Sequence, residues 1–149
     1  MNRTVAREAT LACVFGLEFS SEPIDALEDR LSDEGLELLG EQSGLFDGAP
    51  DAVSAEYIRT AARGVSAKLS EIDEYIAKYA TGWSLNRISR VCKAALRLCI
   101  FEILYIDDIP AKVSINEAVE LTKKYENEDM PAFVNGVLGG FMRGEKIEK

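Results

Sequence analysis

Apolar residues recur at spacings of three and four along nearly the whole chain, and no run alternates polar and apolar residues with a period of two. The first pattern puts apolar side chains on one face of a helix, and the absence of the second removes the half-buried strand. From Thr4 to Phe19 the set Val5, Ala9, Ala12, Gly16, Phe19 keeps helical step. Leu11, Val14, Phe15 and Leu17 make its second half apolar nearly all round, so this helix should run through a core. Pro23 opens a second helix carrying Ile24, Leu27, Leu31 and Leu38, and Gly40 to Pro50 reads as a loop. Asp51 to Tyr79 reads as one long helix or a broken pair with the stripe Val53, Tyr57, Ala61, Val65, Leu69, Ile72, Ile76, weakened at Gly64.

Beyond a Gly82-Trp83-Ser84 turn, with Ser84 as N-cap, Arg87 to Tyr105 is the most apolar segment, ended by Asp107-Asp108-Ile109-Pro110. A further helix carries Val113, Ala118, Val119 and Leu121, with Ser114 and Glu117 spaced as a capping box. Pro131 starts the last helix, Phe133 to Phe141, which stops near Gly139-Gly140 or Gly144. The expectation is an all-α chain of about seven helices, with residues 1–149 acting as one domain.

Composition narrows the chemistry. There is no histidine, so Ser-His-Asp and Cys-His catalysis and His-ligated zinc are excluded. Cys13, Cys92 and Cys99 contain no C-x-x-C pair. Cys92 and Cys99 lie two turns apart on one expected helix, about 10 Å, too far to bridge. All three read as small buried residues in a reducing compartment. No apolar run is long enough to span a membrane and no secretory signal opens the chain, which points to the cytoplasm. The net charge of −9 is concentrated: Glu18 to Glu56 holds twelve acids and one base, Arg30, while the remainder has fourteen acids and sixteen bases. An acidic chain of this kind can still carry a nucleic-acid surface elsewhere, and the acidic stretch is either a solvated face or a dock for a basic protein.

Arg3 and Arg7 lie four apart on one side of the first helix. Two constellations could carry function. Arg87, Arg90, Lys93 and Arg97 fall within about 120° of arc, as a phosphate-binding strip, a solvated face or a set of internal ion pairs; Arg97, deepest in the apolar stretch, is the candidate for a buried pair. Phe133 and Asn135 open the last helix, where free amides can meet a phosphate and an exposed ring can stack on an unpaired base; the alternative for Phe133 is core packing. The C-terminal glycines follow no strand and form no phosphate loop, and Asp107-Asp108 has no partner cluster for hydrolysis. Residue chemistry alone points to a helical binding module with no catalytic residue, metal or cofactor.

The run Ile109-Pro-Ala-Lys-Val-Ser-Ile-Asn-Glu-Ala-Val-Glu-Leu-Thr-Lys-Lys-Tyr125, followed by Pro131-Ala-Phe-Val-Asn-Gly-Val-Leu138, resembles the NusB family of bacterial transcription antitermination factors. Arg87 to Tyr105 and the opening Ala6-Arg-Glu-Ala-Thr-Leu-Ala fit it as well; the likeness is weakest from about Ser20 to Asp51. The resemblance implies an all-α fold of two small packed helical bundles and a role that is not enzymatic. It implies binding of the boxA element of ribosomal RNA leaders, a single-stranded RNA, with ribosomal protein NusE, so that RNA polymerase in the antitermination complex reads through terminators.

The RNA surface so implied draws on Arg3, Arg7, Tyr79, Lys112, Asp129, Phe133 and Asn135, and the partner surface on Phe15 and the position of Cys92. Relatives often cluster three or four N-terminal arginines and carry an acid where Cys92 stands; this chain does neither. Two other readings compete: a protein-binding module or homodimer with little RNA affinity, and an accessory domain like that of RNA cytosine methyltransferases. No Gly-rich cofactor-binding unit accompanies the latter here.

Overall fold

A computed structural model describes residues 1–15, 24–127 and 129–149. Among them the chain forms eight α-helices, one short 3-10 turn and no strand. The helices are α1 (Arg3–Val14), α2 (Ile24–Leu31), α3 (Asp33–Ser43), α4 (Ala52–Ala67), α5 (Leu69–Tyr79), α6 (Arg90–Tyr105), α7 (Ala111–Tyr125) and α8 (Asp129–Gly144). They divide into two compact units, Met1–Ala67 and Lys68–Lys149. This bears out the all-α architecture of two helical bundles.

In the first unit α1 packs chiefly on α4, with α2 against both and α3 against α1 and α2. Asn2 caps α1 by accepting from the Val5 amide at 2.9 Å. Buried Ala6, Ala9, Leu11, Cys13 and Val14 take α1 through the core, as its apolar second half implied; Gly16, Leu17 and Phe19 lie outside the described residues, as does Pro23. The second helix is in fact two. Ser32 breaks it by accepting from the Gly35 amide at 3.0 Å, starting α3 with Asp33 and Glu34 in its first turn. The corner is tight: a Cβ on Gly35 would sit 2.6 Å from the Arg30 carbonyl oxygen. Helix α3 then runs to Ser43, through the start of the expected loop, and leaves Leu38 exposed.

The long segment after Pro50 is a broken pair, but the break falls at Lys68 and not at Gly64. Helix α4 buries Ala55, Tyr57, Ile58, Ala61, Ala62 and Val65. Val53, expected on that stripe, is exposed in the first turn, where Asp51 accepts from the Ser54 amide at 3.1 Å.

In the second unit α6 is the central helix, packed by α5, α7 and α8. Its residues from Cys92 to Ile103 are all buried, and fully buried Leu96 and Ile100 each contribute about 2 kcal/mol of apolar transfer. The cap is Ser89, which accepts from the Cys92 amide at 3.2 Å, and not Ser84, whose hydroxyl meets Asn86 at 2.6 Å. Because Leu85–Arg87 is a separate 3-10 turn followed by extended Ile88, Arg87 is not on the α6 face at all. Helix α7 starts at Ala111, so Ser114 is no cap; it is buried and donates to buried Glu102 at 2.7 Å, while Val113 is exposed.

Candidate nucleic-acid interface

Helix α1 places the two N-terminal arginines differently. Arg3 is exposed, its guanidinium 4.5 Å from the Tyr57 ring centroid. Arg7 is only 3% exposed and lies 6.0 Å from the same ring. Tyr57 of α4 therefore holds both cations by cation–π attraction, and Arg3 alone offers its charge to solvent. The other exposed arginine of this unit, Arg63, is forked onto Glu28, whose carboxyl it holds below the ordinary range.

The four cations beginning at Arg87 do not form a strip. Lys93 and Arg97 are buried, and Arg97 makes a two-pronged pair with Asp73 of α5, Nε to Oδ1 at 2.8 Å and Nη2 to Oδ2 at 2.9 Å. The internal ion-pair reading is the right one for Arg97, with its partner on α5. Arg87 remains exposed and makes no ion pair among the described residues.

Helix α8 begins two residues earlier than Pro131, which changes what Phe133 can do. The free amides of a helix are its first four. Here Asp129 donates to the Asn127 side chain at 3.2 Å, Met130 to the Asn127 carbonyl at 3.3 Å, and Pro131 has none. The amides of Phe133 and Asn135 lie beyond them, inside the helix, so these residues can act only through their side chains. Phe133 is half-buried, and its ring packs on Trp83 with centroids 5.3 Å apart and planes tilted by 53°. Asn135 and Asp129 are exposed, Asn135 about 200° round the axis from Phe133.

Lys112 is exposed in the first turn of α7 without an ion-pair partner among the described residues. Lys112, the second residue of α7, stands about 20 Å along the helix axis from Tyr125 at its other end.

Tyr79 is committed internally. Its hydroxyl donates to Glu145, which also pairs with Lys78 at 2.8 Å, and its ring meets the edge of Phe141 at 6.1 Å. The bond to Glu145 raises the phenol above its usual range, while Lys78 and then Tyr79 hold the carboxyl below its own. A Cβ on Gly144 would overlap the Tyr79 hydroxyl, so α8 needs glycine there to seat the ring.

Cys92, expected on a partner surface, has no exposed surface and is raised in pKa by burial; it cannot make a direct partner contact. Phe15 is half-buried at the end of α1. Burial likewise pushes the Cys13 thiol up to about 11. No cluster of His, Cys, Asp or Glu among the described residues could hold a metal, and no helix among them is long and apolar enough to cross a membrane.

Sequence reasoning passed over Trp83, taking it only as part of a turn. The signal was available: the chain's one tryptophan stands between Gly82 and Ser84, a polar setting for the largest apolar side chain. It is 43% exposed.

Charge differs between the units. Residues 1–67 hold thirteen acids and five bases, and residues 68–149 thirteen acids and twelve bases, so the second unit is nearly neutral and repels a polyanion far less.

The comparisons with known proteins agree with this architecture. The NusB family model matches residues 4–143. The chain is 38% identical to the transcription antitermination protein NusB of Clostridium kluyveri, over all of both chains. It superposes on T. maritima NusB with a TM-score of 0.76 and 35% identity, covering 96% of this chain and 92% of that one. A chain in the crystal structure of antitermination factors NusB and NusE in complex with dsRNA shares the fold, with a TM-score of 0.74 at 22% identity over 95% of this chain and 96% of that one. With likeness running from α1 to α8 in both sequence and fold, the chain belongs to the NusB family.

Proposed function

We propose that this chain, residues 1–149, acts as one RNA-binding domain of a transcription antitermination factor. It binds boxA-type single-stranded RNA of ribosomal RNA leaders together with ribosomal protein NusE, and the assembly lets RNA polymerase read through terminators. The observation that carries this reading is the full-length identity to a protein named for transcription antitermination. The chain's own geometry supports it: exposed Arg3, Lys112 and Asn135 offer phosphate and base-edge contacts, and Phe133 offers a ring held partly in the open. Asp129, exposed at the start of α8, offers an acceptor for base amino groups.

Arg7 and Tyr79 take no direct part in this reading, since one is buried under the Tyr57 ring and the other is spent on Glu145. Phe15 is retained for the NusE contact; Cys92 acts only by packing. The role is binding and positioning, with no catalytic step, and it is exercised in the cytoplasm where transcription occurs.

A reconstituted transcription assay tests the reading. Read-through of a terminator downstream of a boxA leader is expected to rise when this chain and NusE are added, and to fall back when boxA is scrambled. Read-through indifferent to the chain would contradict it.

The second reading, a protein-binding module or homodimer with little RNA affinity, is favoured by the charge of the first unit, where thirteen acids face five bases and Arg59 and Arg63 are already ion-paired. Such a module would bind its partner equally well with or without RNA.

A further inference from the structure

Trp83 is a costly residue to leave in water. Its indole is 43% exposed at the turn between α5 and the 3-10 segment, although a ring of that size gains most from burial. The turn is well made: Gly82 takes a φ of +84° and the Trp83 amide donates to the Ala80 carbonyl at 3.0 Å. The indole is also held from one side, by Phe133 at 5.3 Å. An ordered aromatic pair with an open face is what an unpaired base needs for stacking. The adjoining segment supplies the charge that base stacking alone lacks, because Arg87 is exposed four residues on and makes no ion pair among the described residues. A cation beside an open ring suits a nucleotide, which brings a phosphate with every base, better than it suits an apolar protein surface.

We propose that Trp83, backed by the tilted Phe133 ring, is a platform on which one unpaired base of the bound RNA stacks, with Arg87 taking an adjacent phosphate. This rests on the RNA-binding reading above and assigns to it Trp83, which the sequence reading took only as part of a turn, and Arg87, which it offered only as one of a four-cation strip.

Trp83 is the only tryptophan among five tyrosines, so emission excited at the red edge, where only indole absorbs, reports within the chain on this side chain alone. The full chain is titrated with end-labelled boxA-type RNA, with and without NusE, while RNA anisotropy and tryptophan emission are read together. Emission is expected to be quenched along the same isotherm as the anisotropy. Trp83→Ala is expected to weaken RNA binding about tenfold and Trp83→Phe, which keeps a stacking ring, by no more than about twofold. Circular dichroism of both variants establishes that they are folded.

If anisotropy reports binding while emission stays constant and Trp83→Ala binds normally, the platform is wrong and RNA binding stands. If no RNA binds in either condition, both readings fall. If NusE alone quenches Trp83, and Trp83→Ala weakens NusE but not RNA, the face is a protein contact and the platform is overturned.

Discussion

At the scale of single residues, Arg3 and Phe133 separate surface chemistry from structure. Arg3 stands at the first position of α1, exposed and, among the described residues, held by the Tyr57 ring. An acid at a helix start interacts well with the helix dipole, so Arg3→Glu should leave the melting temperature unchanged. Its expected effect is a several-fold loss of RNA affinity at low salt that shrinks as salt rises, read from titrations at two ionic strengths. Arg7→Glu would not serve, because burying an acid at a 3%-exposed site perturbs the core. Phe133→Ala removes one half of an aromatic pair whose other half is solvent-exposed. The expected result is about a tenfold loss of RNA affinity with a stability cost of about 1–2 kcal/mol, against the 3–5 kcal/mol of a fully buried ring. A melting temperature lowered by more than about 10 °C would instead make Phe133 a core residue.

At the scale of elements, the α5–α6 contact depends on the fork between Asp73 and Arg97. Arg97 is buried, so removing this carboxylate takes two charge-assisted bonds from a charge with poor access to water. Asp73→Ala is expected to destabilise the protein by about 3 kcal/mol, less than a wholly dry pair because the carboxylate is partly exposed. Thermal denaturation should show a drop of roughly 8 °C. The sequence marked Arg97 as a buried cation because it sat among apolar neighbours. It did not reveal Asp73, since partners 24 residues apart meet only through helix packing. The element boundaries divide the same way. Ser32 with Asp33 and Glu34 behind it was a legible helix start, overridden by the continuing apolar spacing to Leu38. Lys68 breaks α4 from α5 with neither glycine nor proline, so nothing local announced it. The choice of Ser89 over Ser84 as the α6 cap was settled by the 3-10 turn, which competes with an α-helix over too few residues to leave a periodic trace.

At the scale of the whole molecule, charge and titration follow from the composition. With no histidine, no side chain of ordinary pKa titrates between about pH 5 and 7, so stability should be flat there. Glu145, held down by Lys78 and Tyr79, and Glu28, held down by Arg63, have folded values below their unfolded ones. Their stabilising effect is fully present above the ordinary carboxylate range and is lost as pH falls through the depressed folded values. Melting temperature measured against pH is therefore expected to hold level to about pH 5 and then to fall on the acid side. Glu145→Gln should shallow that fall. An unchanged acid limb in that variant would show that the Lys78–Glu145 contact does not persist in solution.

The all-α class was legible because helical periodicity is a local property repeated in every segment, whereas the split of α2 from α3 fell in the stretch where the family resemblance is weakest. The candidate site was legible only in part. The resemblance named Phe133, but its contact with Trp83, 50 residues away in sequence, and the burial of Arg7 and Cys92 arise from packing. On the proposed reading, the acidic first unit and nearly neutral second unit lead to the expectation that RNA affinity rests on few phosphate contacts and gains from NusE.

The affinity for labelled boxA-type RNA, with and without purified NusE across a salt series, tests that conclusion most directly. The expected result is binding that tightens when NusE is present, weakens as salt rises, and exceeds binding of a scrambled RNA. A folded protein that ignores boxA RNA with or without NusE would contradict it.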